Sequence, residues 1–190
     1  MRLHKEVRMI SVCWNDFPKT YEEKINHLKK GWDLYEDAFP AHEKRPFCAY
    51  EALCRNEPGF VPHTLEDSAG VMGFLWYWQL TDGVYLEHFA ILKSRRNVGV
   101  GGEILDSFLA HHAKVILEVE EPVDELTRRR IGFYQRHKMI FNDYVYTNPG
   151  YRHEIHEHQL CLMSSQSMDE EACASFVKDF IFKKPLIYIG

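Results

Sequence analysis

The sequence lacks the features that would place it in several special classes of protein. No apolar run approaches the roughly 18 residues that a membrane-spanning helix needs, and charges interrupt the N-terminal segment where a signal peptide has its apolar core. No block of basic residues suggests nucleic-acid binding, and the formal net charge is −5. The composition therefore predicts a cytoplasmic protein that binds neither membranes nor nucleic acid.

Cysteine is also scarce, with five residues and no C-x-x-C pair. A disulfide framework and a cysteine zinc site are therefore not expected. His156 and His158 would share one face of a strand, a spacing that can bind metal. No third ligand stands at a matching distance, so a solvated strand is preferred and no metal is predicted. Without repeats or linkers, residues 1–190 are expected to form a single domain.

Apolar periodicity and turn signals divide the chain into strands and helices. Their order predicts an α/β (α+β) fold, with a mixed, mostly antiparallel, twisted sheet of about seven strands and helices on both faces. A capping box, Thr20 with Glu23, should start the first helix. The predicted strands are Val7–Trp14, Phe60–Glu66, Gly70–Leu80, Val84–Leu92, Lys114–Glu120, Met139–Thr147 and His156–Ser165, and the predicted helices are Tyr21–Phe39, Arg45–Asn56, Gly101–His112, Asp124–His137 and Ser167–Ile181.

A glycine-rich loop, "RRNVGVGGEIL" (Arg95–Leu105), comes directly before a helical pattern. It is no Walker loop, because no Lys-Ser or Lys-Thr follows the glycines, and it is no dinucleotide fingerprint, because Ile104 stands where the third glycine belongs. An R-x-x-G-x-G pattern remains, in which backbone N–H groups can converge on an anion at a helix N-terminus. Arg95 and Arg96 can add charge-assisted hydrogen bonds. The loop is therefore predicted to bind a pyrophosphate.

Two blocks of sequence resemble the GNAT superfamily of acyl-CoA-dependent N-acetyltransferases. "YLEHFAILKSRRNVGVGGEILDSFL" is similar to the family's central strand, pyrophosphate loop and helix, and "RRRIGFYQRHKMIF" to its later tyrosine-bearing helix. The resemblance covers Val7 to Met163 in the order of elements and Val84 to Phe141 in motif. The chain departs from the family at Lys138-Met139, where Gly-Phe is frequent, at Arg130, where a small residue is frequent, and at Thr127, where many members carry Asn.

The resemblance implies a GNAT-like sheet and acetyl-CoA as co-substrate. Backbone N–H groups from Val98 to Gly101 would hold the pyrophosphate, and strand residues Phe89–Ile91 would pair with the pantetheine arm as an added edge strand. The full set of residues predicted to bind acetyl-CoA is Phe89, Ala90, Ile91, Arg95, Arg96, Asn97, Val98, Gly99, Val100, Gly101, Gly102, Thr127 and Arg130.

The resemblance also implies two catalytic groups. Tyr134 matches the tyrosine that donates a proton or hydrogen bond to the leaving thiolate; a core aromatic is the alternative. An amine with a pKa of about 10.4 must lose a proton before it attacks, which a general base assists. Glu87 is the predicted base, with a sheet carboxylate paired to Arg or Lys as the alternative. His88 is the next candidate, expected on the opposite face of the strand.

The acceptor is expected to be a small molecule that carries a primary amine. Tyr144, Tyr146 and Tyr151 are candidates for the acceptor mouth, and the segment 39–47 for an elbow above it. A homodimer is possible through an edge strand near the C-terminus. Two other functions are alternatives: an acyl-CoA-binding regulatory module without significant turnover, and an unrelated phosphate-binding hydrolase, for which the sequence has no Walker lysine, nucleophile elbow or metal motif.

Overall fold

The structure, a computed structural model, describes residues 12–151 and 157–188. Within these ranges there is one sheet of six strands. Residues 7–11 of the predicted first strand lie outside the described residues, and Val12–Trp14 are not in a strand. The strands are β1 (Phe60–Asp67), β2 (Gly70–Gln79), β3 (Val84–Ile91), β4 (Val115–Glu120), β5 (Ile140–Asn148) and β6 (His158–Ser164), and the helices are α1 (Tyr21–Ala38), α2 (Phe47–Asn56), α3 (Val100–His111), α4 (Glu125–Arg136) and α5 (Glu170–Phe176).

The strand order is β1-β2-β3-β4-β6-β5, and only the β3–β4 pair is parallel. The helices α1, α2 and α5 cover one face of the sheet with a core that includes Leu28, Leu53 and Cys173. The helices α3 and α4 cover the other face, with Phe108 and Ile131 in a second core. The mixed sheet with helices on both faces is confirmed, although the described part has six strands rather than about seven.

Local chemistry sets where the first helix begins. The Glu23 N–H donates to Thr20 Oγ1 (3.2 Å), and the Thr20 N–H donates to Glu23 Oε2 (2.9 Å). This capping box satisfies N–H groups that a helix start leaves without an intrahelical partner. None of the helices in the described ranges is long and apolar enough to cross a membrane. β5 is an edge strand of the sheet. A homodimer formed through such an edge strand stays a prediction.

The sheet opens between β3 and β4. Their parallel pairing lasts for three residue pairs and ends at Leu86 opposite Leu117. β3 continues to Ile91, so its second half has a free edge where β4 has separated from it. A bulge lies at the same point, because Trp76 pairs with His88 while Tyr77 pairs with Leu86. Glu87 is thus an inserted residue of β3, directly beside the opening.

Candidate active site

A cavity of about 580 Å³ lies where β3 and β4 separate. Its walls come from both strands, the glycine loop, α4 and the connection between α1 and α2. The free edge of β3 forms one side, with exposed backbone groups that can pair with an extended, amide-containing ligand. The opening in the sheet therefore places backbone hydrogen-bonding groups and side chains of both cores around one space.

The glycine loop forms one end of this cavity. Asn97 (φ 63°) and Gly99 (φ 91°) adopt the left-handed conformation, and Gly99 is the N-cap of α3. That conformation is strained for a residue with a Cβ atom, which explains glycine at position 99. Gly102 lies close to another side chain: a Cβ atom there would lie 2.7 Å from His137 Cε1, so a larger residue would displace that ring. The loop thus turns the N–H end of α3 toward the cavity without side chains in between.

Most of the residues predicted to bind acetyl-CoA line this cavity, and some do not. Val98 is exposed, Val100 packs against the core beneath α3, and neither lines the cavity. The prediction for these two residues concerns their backbone N–H groups, so the positions of their side chains do not test it. The lining residues of the predicted set are Phe89, Ala90, Ile91, Arg96, Asn97, Gly99, Gly101, Gly102 and Arg130.

Two predicted cofactor residues have other partners. The Arg95 guanidinium pairs with the Asp67 carboxylate at 2.9 Å, which ties the loop to the end of β1. The Thr127 hydroxyl belongs to the capping box of α4: the Asp124 N–H donates to Thr127 Oγ1 (3.2 Å), and the Thr127 N–H donates to Asp124 Oδ1 (2.7 Å). Neither side chain lines the cavity, so the geometry favours supporting roles for both.

Tyr134 reaches the cavity from α4. Its hydroxyl has no hydrogen-bond partner among the residues that the structure describes, and burial raises the pKa of Tyr134 to about 12. The hydroxyl therefore keeps its proton at neutral pH and can donate it to a group in the cavity. Lys138, just after α4, has φ 65°, a conformation that favours glycine. The family often has glycine at this position, and here a lysine adopts the same conformation.

Glu87 lies in a network of buried partners. The Arg45 guanidinium contacts Glu87 Oε1 at 2.5 Å, and both side chains have no exposed surface. Trp78 Nε1 donates to Glu87 Oε2 (2.8 Å), and the Tyr151 hydroxyl donates to Oε1 (3.1 Å). Burial alone would raise the pKa of Glu87, but Arg45 and the hydrogen bonds bring it below its usual value. A low pKa weakens a general base, so the geometry favours the ion-pair alternative, while the base assignment stays a prediction.

Arg45 also connects segments that are distant in the chain. Its Nη2 donates to the Pro185 carbonyl (2.8 Å), and its guanidinium carbon lies 3.8 Å from the centre of the Tyr151 ring. The elbow segment 39–47 therefore does lie over the cavity, with Phe39 and Glu43 in the lining. Of the three predicted tyrosines of the mouth, Tyr151 lines the cavity, whereas Tyr146 packs into the core.

His88 is not on the opposite face from Glu87, contrary to the sequence-based expectation. The bulge at Glu87 interrupts the alternation of side chains, so both residues face the core under α1 and α2. His88 Nδ1 contacts the Tyr50 hydroxyl (3.3 Å), and Nε2 contacts the Glu43 carbonyl (3.2 Å). Burial lowers the pKa of His88 to about 4. Both ring nitrogens are engaged, which leaves His88 poorly suited to accept a proton.

Sequence reasoning missed Glu118, which lines the cavity from β4. The Tyr85 hydroxyl donates to Glu118 Oε2 (2.6 Å), and Oε1 is buried with no hydrogen-bond partner among the described residues. Burial raises the pKa of Glu118 to about 7. One signal was available: "KVILEVE" places Glu118 between Leu117 and Val119, inside the apolar part of the strand and near its carboxyl end, and carboxyl ends of strands commonly line ligand sites.

The outer rim of the cavity is acidic. The side-chain atoms of His42, Glu43 and Glu120 that could coordinate a metal ion lie within 4.8 Å of one another. Glu120 pairs with Arg130 at 2.8 Å, which places a cation beside these groups and disfavours a metal ion. Burial raises the pKa of Glu43. The rim thus carries two carboxylates with a guanidinium beside them. Of the predicted histidine pair, His156 lies outside the described residues, and His158 lines the cavity.

Comparisons with known proteins agree with this geometry. The family model for the acetyltransferase (GNAT) family matches residues 26–139. A solved GNAT-family acetyltransferase from Bacteroides thetaiotaomicron is 28% identical, with a TM-score of 0.79 over 90% of this chain and 96% of that one. A GNAT-family acetyltransferase from Bordetella pertussis shares the fold at 12% identity, with a TM-score of 0.51 over 79% of this chain and 93% of that one.

No curated protein matches this sequence. The family match covers more than half of the chain and includes β3, the glycine loop, α3 and the tyrosine of α4. The resemblance that the two sequence blocks indicate is therefore confirmed, together with the mixed sheet that it implies. The chain belongs to the GNAT family of acetyltransferases.

Proposed function

We propose that this protein transfers the acetyl group of acetyl-CoA to the primary amine of a small acceptor by direct attack. The observation that carries the proposal is one cavity that combines the glycine loop at the start of α3, the free edge of β3 and the hydroxyl of Tyr134. Family membership supports acetyl transfer. A thioester arm with amide groups fits the free strand edge, and an anion fits the helix N-terminus.

In this proposal the pyrophosphate binds the backbone N–H groups around Gly99 and Gly101, with Arg96 nearby in the lining. The pantetheine arm runs along Phe89–Ile91, the part of β3 that β4 does not pair with. The thioester then lies near the separation of the strands. A backbone N–H of the free edge is available there to stabilise the oxyanion that forms at the carbonyl.

The chemistry moves protons away from nitrogen and one proton to sulfur. A protonated amine loses one proton before its nitrogen attacks the thioester carbonyl, and the nitrogen loses a second proton as the carbon–sulfur bond breaks. Tyr134 gives its proton to the departing thiolate. Because its pKa is about 12, the hydroxyl still carries that proton before the transfer. Proton transfer by a positioned side chain contributes about 10²–10⁴ in rate.

The acceptor end favours a cationic amine. Glu118 lines the cavity there without a salt bridge among the described residues, whereas Glu43 lies with its Oε1 3.6 Å from His42 Nε2, and the Glu87 and Glu120 charges are balanced by Arg45 and Arg130. Carboxylates without a balancing cation attract an ammonium group and disfavour an acidic acceptor. A primary amine that is protonated in solution thus fits this end of the site.

A module that binds acyl-CoA without turnover is the alternative, and one observation favours it. Glu87, the base expected from sequence, is held by Arg45 in a buried ion pair. The two functions differ in whether an acetylated product forms. The alternative requires acetyl-CoA to bind while every acceptor amine is returned unchanged.

The test is to incubate the protein with acetyl-CoA and a panel of primary amines, including diamines, amino acids and peptide lysines. Products are measured by mass spectrometry, because exposed Cys13 and Cys48 would react with thiol reagents. We expect acetylation of at least one cationic amine and much slower formation of the product in the Y134F variant. Binding of acetyl-CoA with no acetylated amine would contradict the proposal and support the binding module.

A further inference from the structure

A carboxylate at the separation of β3 and β4 has no salt-bridge partner among the residues that the structure describes. Glu118 follows Leu117, the last residue of β4 that pairs with β3. Its side chain lines the cavity, and its Oε1 is buried without a hydrogen-bond partner among the described residues. A buried acceptor without a donor costs free energy unless a ligand supplies one. A water molecule or a ligand in the cavity can supply the donor that Oε1 lacks.

We propose that Glu118 is the general base, the group that takes the proton from the acceptor's ammonium. This inference rests on the proposed acetyl transfer to an amine. The proton moves from the nitrogen to Glu118 Oε1, and the nitrogen lone pair forms the bond to the thioester carbon. The carbon–sulfur bond breaks, and sulfur receives its proton from Tyr134. The nitrogen of the tetrahedral intermediate carries one proton more than the amide, and this second proton passes through water to Tyr134 as Tyr134 gives its own to sulfur. Glu118 returns its proton to water after the product leaves.

Four other candidate bases in the cavity have polar partners, and one of them, Glu43, lies with its Oε1 3.6 Å from His42 Nε2. Glu87 is bound by Arg45, Trp78 and Tyr151. Glu120 is bound by Arg130 at 2.8 Å. The His88 ring contacts protein groups through both of its nitrogens. Of the carboxylates at the strand separation, Glu118 is the one that the described residues leave with an oxygen without a hydrogen-bond partner.

Its surroundings suit a base that works near neutral pH. Burial raises the pKa of Glu118 to about 7, the Tyr85 hydrogen bond lowers it, the Glu87 charge raises it, and Arg45 and Glu43 act in opposite directions. An unperturbed glutamate, with a pKa of about 4.3, would be a weaker base. The best general base has a pKa near the working pH, because it is then both deprotonated and basic enough.

The decisive measurement is kcat/KM against pH for wild type, E118Q and the matched surface variant E66Q, with a cationic amine from the panel. Glu66 pairs with Lys30 on the surface at the end of β1, outside the cavity. We expect wild type and E66Q to rise with pH and level off above about pH 7, as Glu118 loses its proton. At pH 7 we expect E118Q to be lower by about 100-fold.

Above pH 7 the profiles should differ in shape. The rate of E118Q should go on rising toward the amine's own pKa of about 10.4, because attack then depends on amine that is already neutral. A loss of structure alone would lower the rate without moving this limb. Acetyl-CoA affinity, measured by calorimetry, should be the same in E118Q and wild type, since the glycine loop is untouched.

A second variant tests the same assignment without changing the base. Y85F removes the hydrogen bond that lowers the pKa of Glu118, so the acid limb of kcat/KM should move to higher pH. An unmoved limb in Y85F, or a wild-type profile in E118Q, would overturn the role of Glu118 while leaving acetyl transfer in place. If E118Q does not fold, the Y85F limb decides. Absence of acetyl transfer in wild type would overturn both proposals.

Discussion

At the glycine-loop end of the cavity the chain presents backbone, whereas at the acceptor end it presents side chains. The loop end consists of one continuous stretch, from the free edge of β3 into α3. The acceptor end combines Arg45, Glu87, Glu118 and Tyr151, which lie on different elements of the fold. The first end suits a ligand part that all members of such a family share, and the second suits a ligand part that varies.

The two ends also differ in whether ionised side chains or backbone groups provide their electrostatic interactions. The loop end relies on N–H groups and a helix terminus, which need no ionised side chain to attract phosphate. The acceptor end contains a fully buried ion pair, Arg45 with Glu87, next to a carboxyl whose pKa burial raises. Changes at the acceptor end should therefore affect stability and proton transfer, whereas changes at the loop end should affect acetyl-CoA affinity.

The largest effect is expected for E87Q. Removal of the Glu87 charge leaves Arg45 buried without its anion, which costs about 3–5 kcal/mol of unfolding free energy. Urea unfolding measures this loss, and E66Q, which alters an exposed pair, should leave the midpoint unchanged. If E87Q is as stable as wild type but loses the pH dependence of kcat/KM, Glu87 is the base after all.

Y134F should lower kcat by about 100-fold with acetyl-CoA affinity unchanged, because the hydroxyl acts on the leaving thiolate rather than on the bound thioester. Steady-state kinetics and calorimetry together check this. Y21F is a matched control at the start of α1, outside the cavity. A fall in affinity at unchanged turnover of the bound complex would show that Tyr134 positions acetyl-CoA instead of donating a proton.

G99V should weaken acetyl-CoA binding by about tenfold or more, since a β-branched residue at φ 91° costs about 1–3 kcal/mol and deforms the loop. G70V is the matched control: Gly70 has φ 106° in the β1–β2 turn, outside the cavity. Both variants should lose stability, but affinity should fall in G99V alone. Equal affinity of the two variants would remove the loop from the binding site.

The smallest effect is expected for K138G. Lys138 has φ 65°, and a left-handed residue with a Cβ atom costs about 1 kcal/mol relative to glycine. Thermal unfolding should therefore occur at a slightly higher temperature, with acetyl-CoA affinity unchanged. A lower unfolding temperature would mean that the flexibility of glycine in the unfolded chain outweighs the relief of strain.

Much of the loop end could be predicted from sequence, because it depends on local patterns. The predicted bounds of α3 and β3 agree with those of the structure to within one residue at each end. Gly99 has a positive φ, the conformation for which such a loop uses glycine. The α1 start at Thr20 was equally local, since both partners of its capping box lie in one turn. Short-range chemistry of this kind is visible in the order of residues.

The acceptor end could not be predicted in the same way, because long-range contacts define it. Tyr151 and Glu87 are 64 residues apart in sequence and joined by a hydrogen bond. The bulge that places Glu87 and His88 on one face arises from pairing with β2, which no pattern within β3 reveals. The separation of β4 from β3, which brings Glu118 into the cavity, is likewise a property of the assembled sheet.

The central claim is that the cavity at this separation binds acetyl-CoA through the glycine loop. Thermal unfolding with acetyl-CoA, and with ATP and NAD as controls, tests it most directly, because a ligand that binds the folded state raises the unfolding temperature. We expect a rise with acetyl-CoA that ATP and NAD do not reproduce, and that G99V loses. No rise with acetyl-CoA, or an equal rise with ATP, would contradict the claim.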